Sequence, residues 1–348
     1  MLRSLYSAIS GMNAFQTSLD VTGNNIANVD TTGFKTGRVE FSDILSQTLS
    51  GASSPTAAGT TGPGGTNPQQ VGLGVNVASI DTLFTQGADQ QTGVPTDIAL
   101  NGDGMFAVST SAPTTQPVAG DTTPTPTAVG SNSVAYTRAG NFTVDAAGNL
   151  VLPNGAKLLG YLLTKSTTTG TTTTVTSGST SATGVVTDAN GNTIASPSNL
   201  SAVNISVGQQ TSGGSLTVIP GNFSIGANGQ ITVSDPNNPN FKETWQVPLA
   251  QFFNPGGMQK AGGSMYVPTT NSGQFLATPT PTQGASLGVP GQNGFASFRV
   301  GYLEASNVNL TNEFTNMIIA QQGFDANSKV INTDNNILST IQNLEQQA

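Results

Sequence analysis

Two apolar stripes at helical spacing stand at opposite ends of this chain, and neither can bury itself alone. Near the start, Leu2, Leu5, Ile9, Met12 and Leu19, with Ile26 further on, recur on one helical face. Phe15 lies beside that stripe, and Gln16 and Gly23 interrupt it. Turn formers from Val29 to Gly33 should end the helix. Near the other end Leu310, Phe314, Met317, Phe324, Ile331 and Leu338 form a matching stripe, widened toward the tail by Val330, Ile337, Ile341 and Leu344. Asn309 or Thr311 is placed to cap this second helix, with Glu313 in its first turn facing the positive end of the dipole. Each apolar side chain is worth about 1.5–3 kcal/mol if fully buried. Periodicity leaves two ways to collect that energy: packing on the chain's own domain, or coiled-coil association between subunits.

Between the helices the pattern changes to strands. Val75, Val77, Ile80 and Leu83 alternate, with a slip of one residue near Ser79. Ile98–Leu100 and Met105–Val108, separated by Asn101-Gly102-Asp103-Gly104, read as a hairpin. Phe142 and Val144 lead through Asp145–Gly148 to Leu150 and Leu152 as a second. Phe223 and Ile225, then Asn228-Gly229, then Ile231 and Val233 make a third. Alternation on a single face implies antiparallel sheets with one wet side. The fold class is therefore α+β, mainly β.

Composition breaks mark the boundaries. Ser50 to Gln70 is rich in Gly, Pro, Thr and Ala, and Thr164 to Gly184 is nearly all Thr, Ser and Gly. Gly256 to Gly294, broken by Gly and Pro, should hold irregular strands and loops. The resulting division is a terminal helical domain (1–30 and 310–348), an extended connector (31–70), an inner β domain (71–163 and 248–309) and an inserted outer β domain (164–247). No fixed repeat period is evident, which argues against a solenoid.

Much chemistry is excluded by what is missing. The 348 residues include no cysteine and no histidine, so there is no thiolate, no imidazole base and no Ser-His-Asp constellation. No metal, cofactor or catalytic site is expected. With ten basic residues and a net charge of -8, nucleic acid is not an expected partner. No apolar run is long enough to span a bilayer, and the first residues lack the apolar core of a cleavable signal peptide. Asp188-Ala189-Asn190-Gly191-Asn192 begins like a calcium loop, but Thr193 and Asn199 stand where Gly and Glu are needed, so it reads as a turn. Asn101–Gly104 has no following Lys or helix start to make it a phosphate cradle. Trp245 reads as a core or interface aromatic.

Several blocks together resemble the flagellar rod and hook proteins. They are Met1–Met12, Gly23-Asn24-Asn25-Ile26-Ala27-Asn28-Val29, Thr32-Gly33-Phe34-Lys35, Gly72–Val75, Asp97–Gly104, Tyr136–Phe142, Gly301–Leu310 and Ala326–Ile331. They cover both ends and the inner β region but not the 164–247 insertion. Gln322-Gly323-Phe324-Asp325 departs from the family pattern, which usually has Arg, a small residue, an aromatic and Gln. With that Arg goes the cation of one possible intersubunit ion pair.

The resemblance implies a homo-oligomeric helical tube with an inner layer of paired terminal helices, a middle β layer and an outer β domain. It also implies export through the flagellar type III channel, without a cleavable signal, to the extracellular flagellum. Within the family the Thr-rich insertion and Gly65–Val71 favour the hook subunit over the distal rod subunit. The partners would then be the distal rod protein, the hook cap and the hook–filament junction proteins. A secreted β-rich adhesin is the remaining alternative. The expected polymer interface is Leu5, Ile9, Met12, Leu19, Asn24, Asn25, Ile26, Asn28, Leu310, Phe314, Met317, Phe324, Ile331 and Leu338. Asn24, Asn25 and Asn28 either fix register there or simply end the first helix.

Overall fold

The computed structural model describes residues 2–54, 65–109, 134–169, 172–177, 186–187, 193–194, 200–210, 216–220, 222–234, 242–273, 286–292 and 294–346. The calcium-like loop at 188–192 and residues 55–64 of the expected connector lie outside that set. The chain is mainly β with one helix near each end, in two compact units: Met1–Val29, Thr36–Leu83 and Val308–Ala348 in one, Asp30–Lys35 and Phe84–Asn307 in the other.

The first unit is built on α1 (Leu2–Ala27) and α2 (Leu310–Gln346). α1 ends where the turn formers begin, and Asn309 caps α2, its Oδ1 accepting the backbone N–H groups of Thr311 at 3.1 Å and Asn312 at 3.3 Å. Against α1 lies a two-stranded antiparallel ribbon, Gly37–Asp43 with Val75–Thr82. Phe15 meets Phe41 with ring centroids 5.9 Å apart, and the Val75 N–H donates to Ser10 Oγ. Glu40 pairs with Ser79 and Phe41 with Val77, which leaves Ala78 as a bulge. The slip read near Ser79 is that bulge, one extra residue in one strand. The expected connector is not featureless: Gln47–Ser50 pairs with Gln69–Val71 in a fully exposed two-stranded ribbon.

The second unit centres on a large antiparallel sheet. Its path runs Asn222–Ile225, Gln230–Ser234, Lys242–Gln246, Lys157–Thr169, Met105–Ser109, Val134–Thr137, Met265–Val267, Gln259–Gly262. Two expected hairpins form as read, Thr143–Val144 with Leu150–Val151 and Asn222–Ile225 with Gln230–Ser234. The third does not. Ile98–Asn101 pairs with Ser297–Val300, and Met105–Ser109 pairs with Val134–Thr137, Lys157–Thr169 and Leu249–Gln251. Gly102 and Gly104 take φ of 115° and 146°, and Gly102 N–H is held by Gln86 Oε1, so the chain turns between sheets rather than back on itself.

The single wet face also fails in the centre. Met105–Ser109 and Val134–Thr137 are buried on both sides. Phe106 and Val108 enter a core with Phe142, Leu158, Trp245 and Phe298, while Met105 and Ala107 enter another with Tyr136, Leu159, Tyr161 and Tyr266. Layers on both faces override the alternation. Among the described strands of this sheet, Asn222–Ile225 and Gln230–Ser234 keep it.

Candidate functional site

α1 and α2 pack antiparallel in one register. Ser4 Oγ donates to Asp334 Oδ2 at 2.7 Å, and Asn25 Nδ2 donates to Glu313 Oε2 at 3.3 Å. A methyl group at Gly11 would sit 2.6 Å from Nδ2 of Asn327, and one at Gly323 would sit 2.5 Å from the Phe15 ring. From Ser4 to Gly11, Phe15 and Asn25, each advance along α1 is matched by an equal retreat along α2. The first advance is one heptad, and helices in this relation keep one seam in contact.

That seam is small and polar. Ala8, Gly11, Thr22 and Asn25 are buried on α1, and Ala320 and Asp334 on α2. The apolar residues of the two expected stripes are less buried than these. Leu5, Met12, Leu19, Ile26, Met317, Phe324 and Ile331 are half-buried, and Ile9, Leu310, Phe314 and Leu338 are exposed. Ile318 and Ile319, which the sequence reading passed over, are 54% and 58% exposed. The signal for the seam was available as small residues at heptad spacing, Ser4, Ala8, Gly11, Ser18, Thr22 and Asn25.

The three asparagines do different things. Asn25 is 2% exposed: its Nδ2 donates to Gly37 O at 2.8 Å, and its Oδ1 accepts Gly37 N–H at 2.9 Å. The amide thereby satisfies both backbone groups of one residue where the ribbon starts. Asn28 Nδ2 donates to Asn24 O, closing the last turn of α1, and Asn24 is exposed.

In the second unit a charge cluster appears that periodicity gave no reason to expect. Lys35, Glu304 and Arg138 are 0%, 0% and 3% exposed at their side chains. Lys35 Nζ lies 2.6 Å from Glu304 Oε1, and Arg138 Nη1 lies 3.2 Å from Glu304 Oε2. Lys35 also donates to Thr85 O, Gly87 N–H to Glu304 Oε1, and Arg138 Nη2 to Gly102 O. Glu304 O accepts Gly33 N–H. One carboxylate thus ties together residues 33–35, 85–87 and the loop after Leu100. Burial pulls the Lys35 ammonium down, Glu304 raises it, Arg138 lowers it, and the net is below the usual 10.5. Tyr266 is pushed up to about 12, chiefly by burial and further by the charge of Glu304.

The residues on these surfaces coincide with known families. Residues 5–35 match the family described as flagella basal body rod protein, and 299–344 match the flagellar basal body rod FlgEFG protein C-terminal family. The chain belongs to the flagellar rod and hook proteins, a family of structural components of the flagellum. It is 38% identical to the flagellar basal-body rod protein FlgG of Bacillus subtilis, with 99% of this chain and 100% of the relative covered. It is 31% identical to the flagellar hook protein FlgE of Borreliella burgdorferi, over 99% and 100%. To the flagellar hook protein FlgE of Treponema pallidum it is 47% identical over 163 residues, 47% of this chain and 30% of the relative. Among the described residues no helix is long and apolar enough to cross a membrane.

Proposed function

We propose that this chain is the subunit of the flagellar hook, self-assembling through its terminal helices into a curved, flexible tube that transmits torque from rod to filament. The observation that carries the reading is the exposure of Leu310, Phe314 and Ile318 on α2 while α1 and α2 meet through small residues. A helix that spends its small residues on its partner and leaves its large apolar ones in water retains its main driving force for contacts with other copies. Half-buried Leu5, Met12, Leu19, Met317, Phe324 and Ile331 would complete those contacts.

In this reading the inner layer of the tube is helical and the 164–247 insertion is the outer β domain. The insertion is poor in charge, so its contacts with neighbours would be weak and exchangeable, as a bending tube requires. The distal rod protein, hook cap and hook–filament junction proteins would be its neighbours, and type III export its route out of the cell. A second reading, a rod subunit, is favoured by the full-length likeness to the Bacillus rod protein.

Negative-stain microscopy of the purified chain, beside a form lacking 1–30 and 310–348, tests both. Curved tubes from the full chain and monomers from the trimmed one are expected. Straight tubes would select the rod reading. Tubes from the trimmed form would remove the helices from assembly altogether.

A further inference from the structure

The side of α2 that α1 covers continues beyond the reach of α1. In the shared register Leu2, the first helical residue of α1, stands opposite Asn336, whereas α2 runs on to Gln346. At 1.5 Å per residue that extension is about 15 Å long. The character of the face changes along it. Asn327 and Asp334 lie on the seam one heptad apart, and the next heptad brings Ile341, flanked by Ile337, Leu338 and Leu344. These four are exposed, Leu344 at 63%. Residues 335–344 contain no charged side chain.

The opposite end of α2 presents a second stripe. Leu310, Phe314 and Ile318, spaced four residues apart, are exposed, Phe314 at 50%. Glu313, the one ionisable side chain between 310 and 319, points instead at Asn25. On a helix, at about 3.6 residues per turn, Phe314 and Ile318 lie about 100° and about 140° around from Glu313 and so face away from α1, while Leu310 stands at the near edge of that face.

We propose that the Ile337, Leu338, Ile341 and Leu344 face of one copy packs on the Leu310, Phe314 and Ile318 face of the next. This names the axial contact of the assembly and rests on the self-assembly reading above. Both stripes are apolar, free of intervening solvated charge, and about two turns long, so each fits the other. They stand at opposite ends of one helix, which is what end-to-end stacking brings together. The pairing is also the kind that permits growth. A stripe meeting its own copy gives an isologous contact that closes a dimer, whereas two different stripes give a heterologous contact that propagates as an open helix.

The absence of cysteine makes engineered thiols the only ones present. The full-length double variant Phe314→Cys with Ile341→Cys is assembled, checked by microscopy, oxidised and run on a denaturing gel without reductant. A ladder of covalent multimers is expected, with each single variant remaining monomeric. Tubes whose double variant yields no ladder, or whose single variants yield dimers, would overturn this contact and leave the assembly reading standing. Failure of the unmodified chain to form tubes would take both down. If the first pair blocks assembly, Ile318→Cys with Leu344→Cys is read by the same criteria.

Discussion

Lys35 Nζ stands 2.6 Å from Glu304 Oε1, with both side chains wholly removed from water and Arg138 bonded to the other carboxylate oxygen. Two cations share one anion, so the variants should be unequal. Glu304→Gln leaves two buried cations facing a neutral amide and should cost about 3–5 kcal/mol. Lys35→Met leaves the Arg138–Glu304 pair neutral and should cost about 1–3 kcal/mol, through the lost bonds of Lys35 to Glu304 Oε1 and to Thr85 O, which keeps only the longer bond from Asn307 Nδ2. Urea midpoints of the purified variants give the order. Equal losses would mean that Glu304 is held by its backbone donors rather than by its charges.

Asn25 occupies a position that a purely helix-ending residue would not need. It closes two bonds with Gly37 and a third with Glu313. Asn25→Ala should destabilise the first unit by about 2–3 kcal/mol, from the lost hydrogen bonds of a buried amide to the half-buried Gly37 backbone and to Glu313. Asn28→Ala, which removes an exposed bond to Asn24 O, should cost under about 1 kcal/mol. Thermal unfolding followed by helical circular dichroism separates the two.

Gly23 and Gly323 are both helical, but only one faces a wall. Nothing lies within 4 Å of a methyl group at Gly23, so Gly23→Ala should gain about 0.5–1 kcal/mol from helix propensity. At Gly323 the same methyl meets the Phe15 ring at 2.5 Å, and overpacking of about 1–3 kcal/mol should outweigh that gain. A stabilised Gly323→Ala would show that Phe15 moves aside easily and that the seam is not set by close approach there.

Several local features were readable from the sequence, whereas distant pairings were not, and the Asn101–Gly104 turn was misjudged because distant strands claim both of its arms. The Asn228-Gly229 hairpin and the bulge at Ala78 follow from residues within a few positions of each other. The partner of Ile98–Asn101 does not, because Ser297–Val300 comes far along the chain and alternation says nothing about which strand lies alongside. Lys35, Arg138 and Glu304 each look like ordinary surface charges in their own neighbourhoods. Their burial is a property of the assembled second unit, although all three lie within blocks that carry the family resemblance. The seam was overlooked because the largest apolar residues dominate periodicity, while Gly11 and Gly323 contribute by being small.

The turn at Asp145 gives a pH dependence with a definite sign. Burial alone would raise its carboxyl. Hydrogen bonds from the Asn149 side chain, the Asn149 and Ala147 backbone N–H groups, and the charge of Lys157 more than offset this, so the value falls below the usual 3.8. A carboxyl depressed in the folded state adds stability above its unfolded value and loses it as pH falls through the folded one. The advantage of the native chain over Asp145→Asn should therefore be constant above about pH 5 and shrink as pH drops below about 4. Denaturation midpoints across that range suffice. A difference that does not change with pH would show that the turn is held without the charge.

Phe314 and Ile318 separate stability from assembly. Each is half exposed or more in the isolated chain, so Phe314→Lys and Ile318→Lys should change unfolding free energy by no more than about 0.5 kcal/mol. In an intersubunit contact, however, each lysine would bring an unpaired charge into an apolar seam, a cost of several kcal/mol per contact. That cost would recur along every row of a polymer. Tube formation should consequently be lost at concentrations where the native chain assembles, with the melting temperature of the monomer unchanged. If the variants assemble normally, this stripe faces water in the tube, and the driving force must come from the half-buried residues Met317, Phe324 and Ile331 instead.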